Sequence, residues 1–387
     1  MSTRPLIPTC LFLAVLFMTF LLACKKHTDE PPNPRGPNMY VLGTVGATLA
    51  YWNNGGVTKV TSDTSFSAFS FLASGSDIYF GGCTTVGPPI WGTSGWRNPQ
   101  YLKNGLAVPL SAPFPAVRAE ISDMAVSGSD VYATGMTGYD FTKGVPPKPA
   151  TGRYLQGSLP TLWKNGIPLT LPCQPLVYST ADTFERYAGY TSGLCISGND
   201  VYVAGGNLDN TKGDTSTYRF AGYWKNGMFV NLSMGLVDSS DVYINRYPET
   251  SGIFVSGSDV YVAGYGTGET FPQALYWKNG VVYKIGPTGL TNSAALCICA
   301  SGNDVYVGGH VYVGATTYGT IWKNGVETRL ANAGNGSTVT SILVSGGDVY
   351  VTGADFDGKT RYATYWKNGV PVHLGANGLA SAIFIQP

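Results

Sequence analysis

The sequence predicts an all-β fold: a seven-bladed β-propeller of four-stranded antiparallel blades, closed when the C-terminal strand completes the N-terminal blade. Three observations predict it. The phrase Tyr365-Trp366-Lys367-Asn368-Gly369 recurs in some version seven times, centred on Trp52, Leu102, Trp163, Trp224, Trp277, Trp322 and Trp366. A second phrase, clearest as Ser256-Gly257-Ser258-Asp259-Val260-Tyr261-Val262-Ala263-Gly264, lies upstream of each copy. The two ends of the chain are also complementary. Asn38-Met39-Tyr40-Val41-Leu42-Gly43 begins at a second strand, and Ser381-Ala382-Ile383-Phe384-Ile385 reads as a first strand with no second. Joining them closes the ring and removes the free edges of an open array.

Each repeat parses into four short strands, in the last copy Ser341 to Val344, Asp348 to Thr352, Ala363 to Trp366 and Val370 to Leu374. β-Branched and aromatic residues alternate between Gly and Asn boundaries, and no helical period crosses them. A Ser-Gly-x-Asp turn joins strands one and two. Lys-Asn-Gly joins strands three and four, and Asn-Gly between apolar runs is a strong hairpin signal because both turn residues must accept positive φ.

The bulk numbers agree. With 387 residues, 51 Gly, 25 Tyr and 12% charged residues, the composition is that of a turn-rich β protein. A net charge of +1 lacks the concentrated basic surface that nucleic acid requires. Residues 1–23 read as a targeting segment, with Arg4 supplying charge ahead of an apolar run from Leu11 to Leu22 that is short for a spanning helix. Residues 24–37, with Pro31, Pro32, Pro34 and Pro37, read as a flexible tether, and 38–387 as the propeller. Five further cysteines, Cys83, Cys173, Cys195, Cys297 and Cys299, are odd in number and irregular in spacing, which is not a disulfide framework. They have no zinc-type pattern.

Two repeated charges invite a chemical reading and receive a structural one. Asp77, Asp130, Asp200, Asp259, Asp304 and Asp348 recur with Lys103, Lys164, Lys225, Lys278, Lys323 and Lys367, and in the first copy Asn38 and Asn53 replace both partners together. We therefore expect each Asp to pair with the Lys of its own blade, within about 4 Å.

The connections differ between the two faces of such a ring. From the anchor Tyr to the turn Gly the seven blades run 15, 26, 34, 25, 19, 19 and 19 residues. From each turn Gly to the next turn Asp they run 22, 25, 34, 32, 24 and 23. All substantial length variation falls on one face and is concentrated in blades two to four and their outgoing connections, and long loops on a rigid scaffold are where function usually sits. These insertions are aromatic and poor in charge. The candidate ligand-binding residues are Trp91, Trp96, Tyr139, Tyr154, Arg186, Tyr187, Arg246 and Tyr247. Rings beside hydrogen-bonding groups suit a sugar, whose apolar face stacks while its hydroxyls need directional partners. The same rings could instead fill small cores under their own loops.

No catalytic set stands out. The three His residues, His27 in the tether, His310 just beyond a second strand and His373 on an outermost strand, form no metal-spaced pair, and no Gly-x-Ser-x-Gly elbow occurs. Asp182, Glu185, Asp238, Asp241 and Glu249 could supply two carboxylates for glycan cleavage, which is the enzymatic alternative. Asn207-Leu208-Asp209-Asn210 with Asp214, and Asp355-Phe356-Asp357-Gly358, are oxygen-rich like calcium loops but incomplete, and read as solvated turns. The expectation is no cofactor and no metal, and a monomer.

Leu21-Leu22-Ala23-Cys24 resembles the bacterial lipobox, which implies acylation at Cys24. Lys25 follows where inner-membrane lipoproteins typically carry Asp, so the resemblance implies the outer membrane, facing the periplasm or the cell surface. Together with the repeated Val-Tyr-Val-Ala-Gly and Tyr-Trp-Lys-Asn-Gly phrases, the chain from Cys24 onward resembles propeller lipoproteins of Bacteroidota-type bacteria. That resemblance carries no catalytic residues. The resulting expectation is a membrane-anchored, non-enzymatic recognition module for a glycan or an envelope protein, with glycan cleavage second and a structural envelope role third.

Overall fold

The structure, a computed structural model, describes residues 38–61, 63, 65–86, 96–113, 118–138, 154–173, 184–209, 218–233, 248–267, 271–287, 291–331 and 334–386. Its strands build seven antiparallel blades around one axis. The first blade takes β1 (Asn38–Val45), β2 (Thr48–Asn53) and β3 (Gly56–Thr61) from the beginning of the described chain and β29 (Gly378–Gln386) from its end. Blade two holds β4 (Phe66–Ser74), β5 (Asp77–Val86), β6 (Trp96–Lys103) and β7 (Leu106–Pro109), and blade three β8 (Arg118–Ser127), β9 (Asp130–Gly138), β10 (Tyr154–Lys164) and β11 (Ile167–Thr170). A further strand, β12 (Phe184–Ala188), follows. Blade four is β13 (Tyr190–Ser197), β14 (Asp200–Asp209), β15 (Tyr218–Lys225) and β16 (Met228–Asn231). Blade five is β17 (Glu249–Ser256), β18 (Asp259–Thr267), β19 (Pro272–Lys278) and β20 (Val281–Lys284). Blade six is β21 (Ser293–Ser301), β22 (Asp304–Val313), β23 (Thr316–Lys323) and β24 (Val326–Arg329), and blade seven β25 (Ser337–Ser345), β26 (Asp348–Phe356), β27 (Arg361–Lys367) and β28 (Val370–Ala376).

The closure follows the expectation from the chain ends: β29 pairs antiparallel with β1 from Asn38↔Gln386 to Val45↔Gly378. Trp52 then donates its indole N–H to the Leu374 carbonyl of blade seven at 3.1 Å. The same stitch recurs from Trp163 to Ser111, Trp224 to Pro172, Trp277 to Leu232 and Trp366 to Ala331 at 2.6–3.1 Å, each reaching the outer-strand exit of the preceding blade. All six repeat tryptophans are at most 1% exposed. The hydrophobic clusters accordingly lie between blades, as where Leu232 and Ala221 of blade four meet Val262, Leu275 and Trp277 of blade five. Cys195 and Cys299 are buried among them as small apolar groups.

The glycine that ends Val-Tyr-Val-Ala-Gly has a steric reason. Each innermost strand bulges by one residue, for example at Ser251 between Thr250 and Gly252. The bulge presses the carbonyl of Glu249 onto Gly264, where a β-carbon would lie 2.0 Å from it. Only glycine admits that approach.

The turn network answers the question of the repeated charges. Asp and Lys stand 2.7–2.8 Å apart in all six charged blades. The turn Asn, at φ of 47° to 51°, donates its amide to the same Asp, as Asn279 does to Asp259 at 2.8 Å. Its Oδ1 accepts the N–H of the residue after that Asp, here Val260 at 2.8 Å. The Lys ammonium also lies over the Tyr ring, 5.2 Å for Lys278 on Tyr261. In blade one, Asn54 donates to Asn38 at 3.2 Å, so the turn survives with its charges removed.

Two features depart from four strands repeated seven times. The outer strand β11 covers only Thr161 to Lys164 of β10, and β12 pairs parallel with the other half, Tyr154 to Ser158. Moreover, β6 bridges in parallel to β8 at Arg97↔Arg118, which fuses blades two and three into one nine-stranded sheet.

Candidate functional site

The fusion lies on the face where the sequence concentrates its long connections. One register row runs across it: Thr85 to Arg97, Arg97 to Arg118, Arg118 to Gly138, Gly138 to Ser158 and Ser158 to Ala188. Trp96 lies one residue before that row on β6, and Tyr154, Arg186 and Tyr187 lie on the β10–β12 ribbon at its other end. The sequence pattern places Trp96, Tyr154, Arg186 and Tyr187 in the long loops. The structure places their backbones in strands, because β-pairing is the cheapest way to satisfy the peptide groups of a long connection that lies along a sheet. The side chains of these four residues, and all of Trp91, Tyr139, Arg246, Tyr247 and Cys24, lie outside the described set.

A cavity of 410 Å³ opens between β6 and the connection from β7 to β8. Thr84, Arg97, Asn98 and Gln100 give it polar walls, while Pro99, Pro109, Leu110, Ala112 and Ala119 give it apolar ones. Its groups are held in place. The Arg97 guanidinium pairs with Glu120 of blade three, and Gln100 donates to the Thr84 hydroxyl. Asn98 is exposed. A volume between about 300 and 1,000 Å³ with mixed walls is typical of small-molecule sites. The arrangement sets the exposed Asn98 amide and the paired Arg97 and Gln100 beside an apolar wall of proline and leucine.

The sequence reading missed Arg97, Asn98 and Gln100. A signal existed: Gln100 stands where other third strands carry Thr161, Gly222, Leu275, Thr320 and Thr364. It also missed Asp123, the one acid at a position otherwise occupied by Ser70, Gly193, Gly252, Cys297, Ser341 and Ala382. On innermost strand β8, Asp123 accepts from Ser70 of blade two at 2.8 Å, from its neighbour Met124 N–H at 2.8 Å and from Leu194 N–H of blade four at 2.8 Å. One edge of it is accessible, yet packed strands on all sides strip its water, and this desolvation pushes its carboxyl above the ordinary range. It ties three blades together.

The remaining candidates resolve into structure where they are described. Tyr190 begins β13 and its hydroxyl accepts the Thr250 N–H at 3.0 Å. Glu249 accepts from the Tyr265 hydroxyl. Glu185 lies on β12 with its side chain undescribed, and Asp182, Asp238 and Asp241 lie outside the described residues. His310 lies within β22 and not beyond it, and burial pushes its imidazole down. In Asp355 to Gly358, Asp355 meets His373 at 2.9 Å, and Asp357 caps the Lys359 and Thr360 N–H groups at 2.8 and 2.7 Å. Those oxygens are used by the turn itself. Among the described residues no group of three or more His, Cys, Asp or Glu is placed to hold a metal ion.

The fold and cavity define a closed seven-bladed β-propeller with an elaborated face over two fused blades. No family model matches the chain, and no curated protein sequence matches it. In architecture it is similar to the β-propeller domain of the Trilobed protease from Pyrococcus furiosus (9% identity, 87% of this chain and 91% of that one, TM-score 0.47). It is similar also to a periplasmic gluconolactonase of Pseudomonas aeruginosa (10%, 91% and 99%, 0.44) and to Trypanosoma rangeli sialidase in complex with the inhibitor DANA (9%, 86% and 56%, 0.38). At such identities the likeness concerns the arrangement of strands and nothing chemical.

Proposed function

We propose that this protein is an outer-membrane lipoprotein, acylated at Cys24, that recognises a glycan without cleaving it, through the long-loop face over blades two to four. The observation that carries the reading is the 410 Å³ cavity at the fused edge, lined by Arg97, Asn98 and Gln100 together with Pro109 and Leu110. Directional donors opposite an apolar wall match the two-sided chemistry of a pyranose ring.

Glycan-array binding by the full chain tests it. Loss of the Asn98 amide or the Trp96 ring, in Asn98→Ala and Trp96→Ala, is expected to weaken the best glycan about tenfold each, the equivalent of roughly 1.4 kcal/mol. Unchanged binding by both variants moves the site elsewhere. Release of reducing sugar that disappears in Asp182→Asn or Glu185→Gln makes the protein a glycan-cleaving enzyme instead.

A further inference from the structure

The residue that follows the Asn-Gly turn is a large apolar one in six blades: Leu106, Ile167, Met228, Val281, Val326 and Val370. Each is the first residue of its outer strand, and each is 58–75% exposed. Outer-strand edges are usually defended with charge, and blade packing does not need these side chains, since the buried contact is made four residues later, by Leu110, Leu171, Leu232 and Leu330. The result is a ring of apolar side chains at one level, just above the tight turns. The charges beside it cancel pair by pair, each Lys held by its Asp.

Blade one shows where the ring is open. Blade one carries Gly56 at the equivalent position, and there Asn38 joins the same face through its bond with Asn54. The N-terminal segment therefore enters the propeller at the tight-turn face. Only thirteen residues, 25–37, separate Cys24 from Asn38, and a proline-rich stretch of that length reaches at most about 40 Å. An acyl anchor at Cys24 would therefore pull on the ring from its tight-turn face.

We propose that the tight-turn face docks on a zwitterionic lipid surface, its six apolar side chains entering the interface while the cavity over blades two and three points away. The docking rests on the acylation proposed above. An apolar ring with neutralised charges gains by burial among headgroups and needs no anionic lipid.

The test uses the full acylated chain in phosphatidylcholine vesicles, with an environment-sensitive fluorophore on Val281→Cys, Val326→Cys or Lys359→Cys, read against label-treated parent protein. Lys359 is exposed in the β26–β27 connection on the opposite face. Labels at 281 and 326 are expected to shift to the blue and to lose most of their quenching by aqueous iodide, while the label at 359 keeps it. Equal quenching at all three positions in vesicle-bound protein overturns docking and leaves the anchor intact. Absence of vesicle association overturns both. Shielding of 281 and 326 without vesicles means that a second copy covers the face, which also overturns docking. Val281→Asp with Val326→Asp provides the second reading: restored quenching at a Leu106→Cys label, with unchanged anchoring, is the expected result, and persistent shielding counts against the ring.

Discussion

Exchanging Trp366 and, separately, Trp322 for phenylalanine isolates the stitch between blades. Both indoles are 0% exposed and occupy equivalent strand-three positions. Shrinking indole to phenyl removes the same volume at each, for about 1 kcal/mol of cavity and transfer cost. The hydrogen bond differs. Trp366 donates to the Ala331 carbonyl at 2.7 Å, whereas the Trp322 N–H is buried without a partner among the described residues. The Gly286 carbonyl of blade five, at the repeat position of Ala331, accepts from Gln273 at 3.0 Å. Trp366→Phe leaves a carbonyl unpaired, and Trp322→Phe removes an unpaired donor. The lost Trp366 bond is worth about 0.5–1.5 kcal/mol, because the exposed Ala331 carbonyl can turn to water, and relief of the buried Trp322 donor about 1–3 kcal/mol. Trp366→Phe should therefore cost at least about 1.5 kcal/mol more than Trp322→Phe. Urea unfolding followed by far-ultraviolet circular dichroism measures the difference without relying on the fluorophore removed. Equal losses, or a larger loss for Trp322→Phe, would show that the indole N–H contributes nothing to blade cohesion and would refute the reasoning.

Three further outcomes follow from the repeat. Gly264→Ala places a β-carbon 2.0 Å from the Glu249 carbonyl and should lower stability by about 1–3 kcal/mol or prevent folding, seen as loss of the urea transition. In Asp259→Asn the change depends on pH. Hydrogen bonds from Lys278 and then Asn279 hold the Asp259 carboxyl below its ordinary value, so its stabilisation is present above about pH 3.8 and is lost as pH falls through the folded value. The variant should therefore melt below wild type at pH 6, with the gap closing under acid; a gap that widens in acid contradicts the pairing. Asp123→Asn should cost about 1–3 kcal/mol despite removing a desolvated charge, because its new amide faces the Leu194 or Met124 N–H. Desolvation raises the folded pKa of this acid, so wild type should lose stability as pH rises past the carboxylate range while the variant does not. Parallel pH profiles would reject that assignment.

Much of the molecule is determined locally, and the sequence by itself is enough to specify it. Asn-Gly and Ser-Gly-x-Asp are hairpin turns wherever they occur, so seven copies specify seven blades, and the strand missing at one end is supplied at the other. The pairing of Asp with Lys is equally local, because both sit on adjacent turns of one blade, and their joint replacement by Asn38 and Asn53 betrays it. Tertiary structure alone decided the rest. The Arg97↔Arg118 bridge, the β12 strand and the Arg97–Glu120 pair join segments that belong to different repeats or to none, so no period predicts them. Asp123 is legible as an oddity among small residues, but its bonds to Ser70 and Leu194 exist only once three innermost strands converge on one axis. Repetition encodes what each blade does to itself. Contacts that break the symmetry depend on where the ring brings unlike blades together, and those are the contacts that shape the cavity.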